Sequence, residues 1–441
     1  MTDVTAEGLP NARSVAGREP AAVARRIAQR RAAEWRFQAY GIAAILFGLF
    51  FVALLFGVIG SKGYTALLQT QLTLPVTFDK AVIDPNNNGS HDDLMAADYA
   101  SLAAAALYKK LGIAPGDAAA TALADGLIST GADVELRKVV LADPSVIGAT
   151  RTVSLLAHGN VDALLKGSID RAVPEDSRQI KDQQIAWVDK LRADGSLVKA
   201  FNWGLFTYGA SSQPETAGLG VAVIGSLYMM ITVLLIAVPL GVAAAIYLEE
   251  FAPRNRLTDL IEVNISNLAA VPSIVFGLLG LAILINFAGL PRSASLVGGL
   301  VLALMTLPTV IIAARAAITA VPPSIRQAAL GVGASKMQSI FHHVLPLAAP
   351  GILTGTIIGL AKALGETAPL LMIGMVAFVV DYPRTPLDPA TALPVQIYMW
   401  SNAQERGFVE RTSGATLVLL VFLIAMNVIA VILRRRFERK W

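Results

Sequence analysis

The strongest constraint on the fold is a set of long apolar stretches, each long enough to span a membrane. A helix needs about 20 consecutive apolar residues to cross a hydrocarbon core of roughly 30 Å. The 441-residue sequence contains six such stretches, near Tyr40–Ile59, Leu219–Tyr247, Ile265–Leu290, Leu296–Ala314, Ala349–Met372 and Ala415–Leu433. The sequence therefore predicts an all-α polytopic membrane protein with six transmembrane helices.

Basic residues at both ends of the chain predict its orientation. The predicted N-terminal tail, residues 1–39, carries Arg25, Arg26, Arg30, Arg31 and Arg36. The basic residues in and just before the predicted C-terminal end, residues 437–441, are Arg434, Arg435, Arg436, Arg439 and Lys440. Since positive charge concentrates on the cytoplasmic side, both termini are expected in the cytoplasm. The long charged region before residues 40–59, without a prompt cleavage signal, favours a retained membrane anchor over a signal peptide.

Residues 60–217 are soluble in character and long enough for one domain. The predicted orientation places this insert outside the cytoplasm. Residues 92–112 begin with two aspartates and end with two lysines and a glycine, the charge order of a capped helix. Residues 174–195 carry apolar side chains at helical spacing. We therefore expect a mainly helical insert domain.

Composition argues against several classes of function. The chain has 15% charged residues, whereas soluble domains have about 25%. It has no cysteine for a thiolate metal site, and its four histidines do not form an HExxH motif. The fragment DPNNNG, residues 84–89, resembles the start of a calcium loop, but Met95 stands where a bidentate Glu is required, so a plain turn is favoured. The net charge of +4 is explained by arginines beside membrane spans, and no nucleic-acid partner is expected.

A polar segment, residues 320–346, interrupts the apolar part of the sequence, and we call it the hairpin segment. Two Ser-x-x-Gln patterns, at residues 324–327 and 335–338, predict the capped starts of two short helices. Gly331 and Gly333 permit a break between them, and Pro346 is expected to end the second helix. Both helices are too short to span a membrane and should lie at the cytoplasmic surface. Packing on the chain's own membrane domain would explain the segment equally well.

The spacing within the hairpin segment resembles the EAA loop of ABC importer permeases. In that family the loop forms coupling helices that dock into a groove on a cytoplasmic ATPase. The coupling residues that the resemblance implies are Gln327, Ala328, Ala329, Gly333, Ile340, Leu345 and Pro346. Gln327 stands where Glu is usual, and His343 stands where an aliphatic residue is usual. The chain has no GxxxxGK[ST] motif, so ATP is expected to be used by a partner, with no cofactor bound here.

Two further stretches, residues 269–280 (AAVPSIVFGLLG) and 361–374 (AKALGETAPLLMIG), resemble signatures of the phosphate importer permease of the PstA type. The resemblance covers roughly residues 220–435 and leaves the insert out. It implies a permease core, residues 218–436, with five transmembrane helices in the cytoplasmic (inner) membrane of a bacterium. The implied partners are two copies of an ABC ATPase, a second homologous permease and an extracytoplasmic phosphate-binding protein.

Charged residues inside the fifth apolar stretch predict a passage for the cargo. Lys362 and Glu366 lie one helical turn apart and can pair. Because each charge in a bilayer costs a few kcal/mol, both are expected to face the bundle interior or a watery cavity. Lys362, where family members usually have Arg, would attract an oxyanion beside Glu366 and Thr367. A buried ion pair that only fixes packing is the alternative.

Three residues are expected to act on the helices themselves. Pro272 and Pro369 should kink the third and fifth spans. Arg315, at the cytoplasmic end of the fourth span, should be a positive-inside anchor or else a gate.

The residues themselves are also compatible with two other functions. Sulfate or molybdate could replace phosphate as the cargo. A membrane sensor whose insert binds a ligand is the alternative from a different class.

Overall fold

The structure is a computed structural model that describes residues 20–437, so the predictions for residues 1–19 and 438–441 lie outside it. The chain divides into two compact units, Met1–Ile59 and Gly60–Trp441. Helix α1 (Pro20–Gly63) includes the predicted span and begins about 20 residues before it, and its last residues, from Gly60, belong to the second unit. The extension is rich in Ala, Arg and Gln, which are good helix formers. Apolar side chains along this helix are exposed, as expected of a surface that meets lipid or another subunit.

The insert contains eight short helices within the described residues: α2 (Lys80–Ile83), α3 (His91–Ala96), α4 (Tyr99–Leu111), α5 (Ala118–Asp125), α6 (Ala132–Ala142), α7 (Gly159–Leu165), α8 (Asp182–Ala193) and α9 (Gly204–Thr207). The helix predicted from residue 92 is instead two helices, because Asp98 caps the start of α4. As predicted, α4 stops at Gly112, in the left-handed region at φ +79°. The DPNNNG fragment is a turn, in which the Asp84 carboxylate accepts two backbone N–H groups.

A three-stranded antiparallel sheet runs through the insert, so the all-α prediction is wrong here. Strand β1 (Leu68–Thr77) lies between β2 (Thr150–Leu156) and β3 (Leu197–Phe201). Leu72, Leu74 and Val76 alternate with exposed or half-buried residues and are buried, which is the sequence signal of such a strand. Pro75 cannot donate a ladder hydrogen bond, but β3 pairs with β1 only as far as Leu72. The proline therefore faces an open edge within the central strand.

The membrane core follows in ten further helices: α10 (Gly220–Ile246), α11 (Arg256–Ala269), α12 (Ser273–Gly280), α13 (Ser295–Thr319), α14 (Pro323–Gly331), α15 (Lys336–Ser339), α16 (Leu345–Gly365), α17 (Ala368–Met372), α18 (Leu393–Ser401) and α19 (Gly407–Phe437). Three π-helical segments, Tyr247–Phe251, Leu281–Phe287 and Ile340–Val344, continue α10 and α12 and join α15 to α16.

The described residues include five helical stretches long and apolar enough to cross a membrane, or six if α11 and α12 form one span. The predicted third span is not one straight helix, because α11 and α12 meet at an angle of 99°. Pro272 lies at this bend, where it caps α12. The residue before a proline is disfavoured in the α region, so the chain turns instead of continuing.

The fifth predicted span also differs from the observed helix. The observed stretch runs from Lys336 to Gly365, so Pro346 lies inside the first turn of α16 and does not end a helix. It stops well before Met372, because Pro369 cannot donate to the carbonyl of Gly365. Pro369 therefore lies in the first turn of the separate helix α17 and does not kink a continuous helix.

Buried charges join the insert to the first turn of α19. The Lys166 amine lies 2.6 Å from the Asp162 carboxylate and 2.8 Å from that of Glu410, and its side chain is 4% exposed. Beside it, Arg411 is buried and donates to the backbone carbonyl of Glu215. Burying a charge costs several kcal/mol unless the charge is paired. The insert and α19 therefore pack with these charged groups in contact with each other.

Candidate functional site

The hairpin segment is two helices joined by a tight turn. Helix α14 ends at Gly331, and Gly333 adopts φ +88°, a left-handed conformation that favours glycine. Ser335 then caps α15, donating its N–H to the Gln338 amide oxygen and accepting the Gln338 N–H at its hydroxyl, as predicted. The same pattern at Ser324 makes no cap, because α14 begins one residue earlier, at Pro323.

The hairpin exposes apolar side chains. Leu330, Val332, Met337 and Phe341 are exposed, with Val332 at 86%, and we call these four residues the hairpin patch. Contiguous exposed apolar side chains are typical of surfaces that meet another protein or lipid.

The implied coupling residues divide into exposed and buried ones. Gln327, Ala328 and Gly333 are exposed, and Leu345 and Pro346 are half-buried. By contrast, Ala329 and Ile340 are buried. Ile340 packs with residues of α10, α13 and α16, so it fixes the hairpin to the core.

Two arginines tie the hairpin end of the core together. Arg315 on α13 pairs with Glu262 on α11 at 2.7 Å and with Glu249 at 3.5 Å. Arg326 on α14 pairs with Glu250 at 2.8 Å.

The second arginine also binds backbone. Arg326 donates to the carbonyls of Val321 and Ile318, which belong to the end of α13 and the residues after it. The ion pairs of Arg315 were not predicted from the sequence, because they join three different helices. The sequence did contain one signal for these ion pairs, the adjacent acidic residues Glu249 and Glu250 at the end of an apolar stretch.

The predicted passage residues lie where α16 ends. Lys362 is in the last turn of α16 and is exposed. Glu366 follows in an extended conformation, and Thr367 stands at the N-cap position of α17 without a side-chain capping hydrogen bond. Because the helix breaks between them, Lys362 and Glu366 do not form the expected i, i+4 pair, and neither has an ion pair to any described residue.

The two helices that follow the breaks of the core, α12 and α17, pack closely against each other at Gly277. A Cβ at Gly277 of α12 would lie 2.7 Å from the Cα of Pro369 in α17, so these helices touch backbone to backbone. Each helix follows a break, at Pro272 and at Glu366–Thr367 respectively. Non-helical backbone at membrane depth is tolerated where protein or a watery cavity surrounds it.

One carboxyl in the insert has a strongly shifted pKa. Burial raises the pKa of Glu135 to about 7, against the opposing effects of the Leu156 N–H, which it accepts at 3.0 Å, and of Lys138. Burial, and then the neighbouring Glu135 charge, raise the pKa of Tyr208. Lys138 lies over the Tyr208 ring, 5.4 Å from its centroid. These three groups lie together on the insert and do not belong to the hairpin segment.

Comparison with known proteins identifies similar chains. Residues 237–441 match a family described as a binding-protein-dependent transport system inner membrane component. Residues 24–175 match a family described as a domain of unknown function, DUF3333.

Two curated relatives are similar over the second half of the chain. The "Probable ABC transporter permease protein YqgI" of Bacillus subtilis is 28% identical over 249 residues, 53% of this chain and 83% of that protein. The "Phosphate transport system permease protein PstA 1" of Mycobacterium tuberculosis is 30% identical over 251 residues, 57% of this chain and 81% of that protein. A solved inward-facing MetNI methionine ABC transporter chain matches 50% of this chain and 95% of its own, with 16% identity and a TM-score of 0.40.

Proposed function

The chain belongs to the family of binding-protein-dependent transport inner-membrane components and is a permease subunit of an ABC importer with relatives of the PstA type, and on that premise we propose that its cargo is inorganic phosphate. The similarity to a phosphate transport permease over four-fifths of that relative is the observation that carries the proposal. An exposed lysine at a break in a membrane helix agrees with an anionic cargo.

In this proposal the hairpin patch docks a cytoplasmic ABC ATPase. Its apolar side chains project from a turn that Gly333 and the Ser335 cap fix. Gln327 and Ala328 are exposed beside the patch and would share the contact. ATP would be bound and hydrolysed by two copies of that partner, with no cofactor bound by this chain.

The passage would run beside Lys362. Its ammonium attracts an oxyanion without the bidentate fork of arginine, which suits a cargo that must be released. Glu366 and Thr367, on the broken backbone, would complete the polar wall. Since Lys362 is exposed on this subunit, the opposite wall would come from a second homologous permease.

Contacts at the two ends of the core support a six-span topology with both termini in the cytoplasm. At one end the insert meets the segment after α17, where the Ala210 N–H donates to the Val379 carbonyl at 2.9 Å and the Tyr382 hydroxyl to that of Thr207 at 2.8 Å. At the other end Arg326 of the hairpin segment meets the end of α10. The insert would then lie outside the cytoplasm, on the side where an extracytoplasmic phosphate-binding protein docks.

The decisive experiment is uptake of labelled phosphate at low concentration by cells that lack this chain, with sulfate and molybdate as competitors. The intact chain should restore uptake, and neither competitor should reduce it. Lys362→Gln should abolish uptake while the complex still assembles, and Lys362→Arg, which keeps the charge, should retain it.

Different failures separate the parts of the proposal. Unchanged phosphate uptake in cells lacking the chain, with loss of sulfate or molybdate uptake, would move the cargo to that oxyanion. Unimpaired uptake with Lys362→Gln would remove Lys362 from the passage while leaving the cargo in place. If no oxyanion uptake depends on the chain, a sensor with a ligand-binding insert becomes the better account.

A further inference from the structure

A cavity of about 610 Å³ lies where the insert meets the start of α19. Its walls come from the last residues of α1, from α7 and the turn after it, and from the first two turns of α19. This volume lies within the range of about 300–1,000 Å³ that is typical of small-molecule sites. It is separate from the hairpin segment and from Lys362.

Positive charge dominates the walls of this cavity. Lys62, Lys166 and Arg406 line it, against a single lining carboxylate, Glu410. Lys166 is already neutralised by its two carboxylate partners, Asp162 and Glu410. Lys62 and Arg406 are exposed and have no ion pair with any described residue. An anion in the cavity would therefore face two cations that no carboxylate neutralises.

Hydroxyl groups and apolar side chains complete the lining. The hydroxyls of Tyr64 and Ser168 also line the cavity and can donate to an anionic oxygen. Tyr64 and Val409 line it as well and are exposed, at 57% and 65%. Val409 lies at the start of the apolar helix α19, where a membrane span begins. The cavity therefore combines cations and hydroxyls with an apolar rim at the membrane boundary.

We propose that this cavity binds the phosphate-bearing headgroup of an anionic phospholipid, in the leaflet on the insert's side of the membrane. Lys62 and Arg406 contact the phosphate, and Tyr64 and Val409 contact the start of the acyl chains. A free inorganic phosphate shares the headgroup's chemistry but has no apolar part to match the rim. The site does not depend on the cargo of the importer.

The test is native mass spectrometry of the purified full chain, alone or in its complex, released from membranes that contain phosphatidylglycerol and phosphatidylethanolamine. We expect preferential retention of phosphatidylglycerol. The double substitution Lys62→Gln with Arg406→Gln should weaken that preference by about 20- to 30-fold, since each cation near a membrane surface contributes roughly fivefold. The matched control, Lys80→Gln with Lys109→Gln, removes two exposed insert cations outside the cavity and should change nothing.

A second arm distinguishes a lipid from a free ion. Inorganic phosphate is added to the lipid-depleted chain, and the thermal unfolding midpoint is measured with sulfate as a control. Little stabilisation by phosphate, together with retained phosphatidylglycerol, supports the lipid. Stabilisation by phosphate that the double substitution removes, without lipid retention, would overturn the lipid assignment. Equal lipid retention by the intact chain and the double variant would overturn the site.

Discussion

Arg326 concentrates three contacts of the hairpin segment in one side chain. Its guanidinium holds the Glu250 carboxylate and two backbone carbonyls at the end of α13. Arg326→Gln should leave a carboxylate that is 9% exposed without its partner, at a cost of about 2–4 kcal/mol locally. We expect ATP hydrolysis by the assembled complex to continue while transport falls at least tenfold, on the order expected when a rigid contact loosens.

The measurement is phosphate transport and ATP hydrolysis by the same reconstituted complex. Arg254→Gln is the matched control, because Arg254 is exposed and has no ion pair with any described residue. Transport at the normal rate with Arg326→Gln would show that the arginine does not connect the hairpin to the core.

Glu135 should make the stability of the chain depend on pH. Its pKa in the folded chain is about 7, above the ordinary value of 4.5, so the folded state binds the proton more tightly. The resulting stabilisation is fully present below about pH 4.5 and is lost as the pH rises through 7. At most it is on the order of 3–4 kcal/mol, since one pKa unit corresponds to about 1.4 kcal/mol.

The substitution Glu135→Gln should remove this dependence. Thermal unfolding is measured at several pH values between 5 and 8 for Glu135→Gln, for the intact chain and for Glu175→Gln. Glu175 is a half-buried glutamate of the same insert whose side chain is 42% exposed. Parallel pH profiles for the intact chain and Glu135→Gln would contradict the assignment.

The turn of the hairpin segment gives a prediction at the level of the element. Gly333 has φ +88°, and a side chain there is strained by about 1–2 kcal/mol. Gly331 has an ordinary helical conformation with open space around it. Gly333→Ala should therefore displace the hairpin patch and reduce ATPase co-purification about tenfold, whereas Gly331→Ala should leave it unchanged. Equal co-purification with both variants would count against docking through this turn.

Hydropathy predicted where the long membrane helices lie in the sequence, but not where they break. Length and apolar composition locate the long helices, because a bilayer demands both. The breaks at Pro272 and Glu366 were not predictable in this way, since a bent pair and a straight span have the same composition. The sheet had a signal in the alternation along β1, but Pro75 concealed it.

The candidate site was predictable in its residue types but not in its contacts. The hairpin turn and the Ser335 cap depend on neighbours in sequence, and both occur as expected. The carboxylate partners of Arg315 and Arg326 lie 53 to 76 residues away in the chain, so only packing brings them together. The same holds for Ile340, whose burial follows from three other helices.

For the whole molecule, the charged junction predicts that the insert and the membrane core unfold together. Lys166 of the insert neutralises Glu410 of α19, and both side chains are largely buried. Removing the insert would leave Glu410 without its cation, and removing α19 would leave Lys166 with Asp162 as its one carboxylate, so each side loses a buried charge contact when the other unfolds. The purified chain should show one thermal transition in which insert signals and core signals change at the same temperature.

Lys166→Met tests this coupling directly. The substitution leaves Asp162 and Glu410 facing each other without a cation, so it should destabilise the chain by about 3–5 kcal/mol and separate the transition into two. Lys110→Met removes an ion pair with Asp194 that is about one-third exposed, and it should cost less than about 1 kcal/mol and leave one transition. Two transitions already present in the intact chain would mean that the insert folds independently. A single transition at a lower temperature with Lys166→Met would mean that other contacts, such as those of Arg411, are enough to hold the insert to the core.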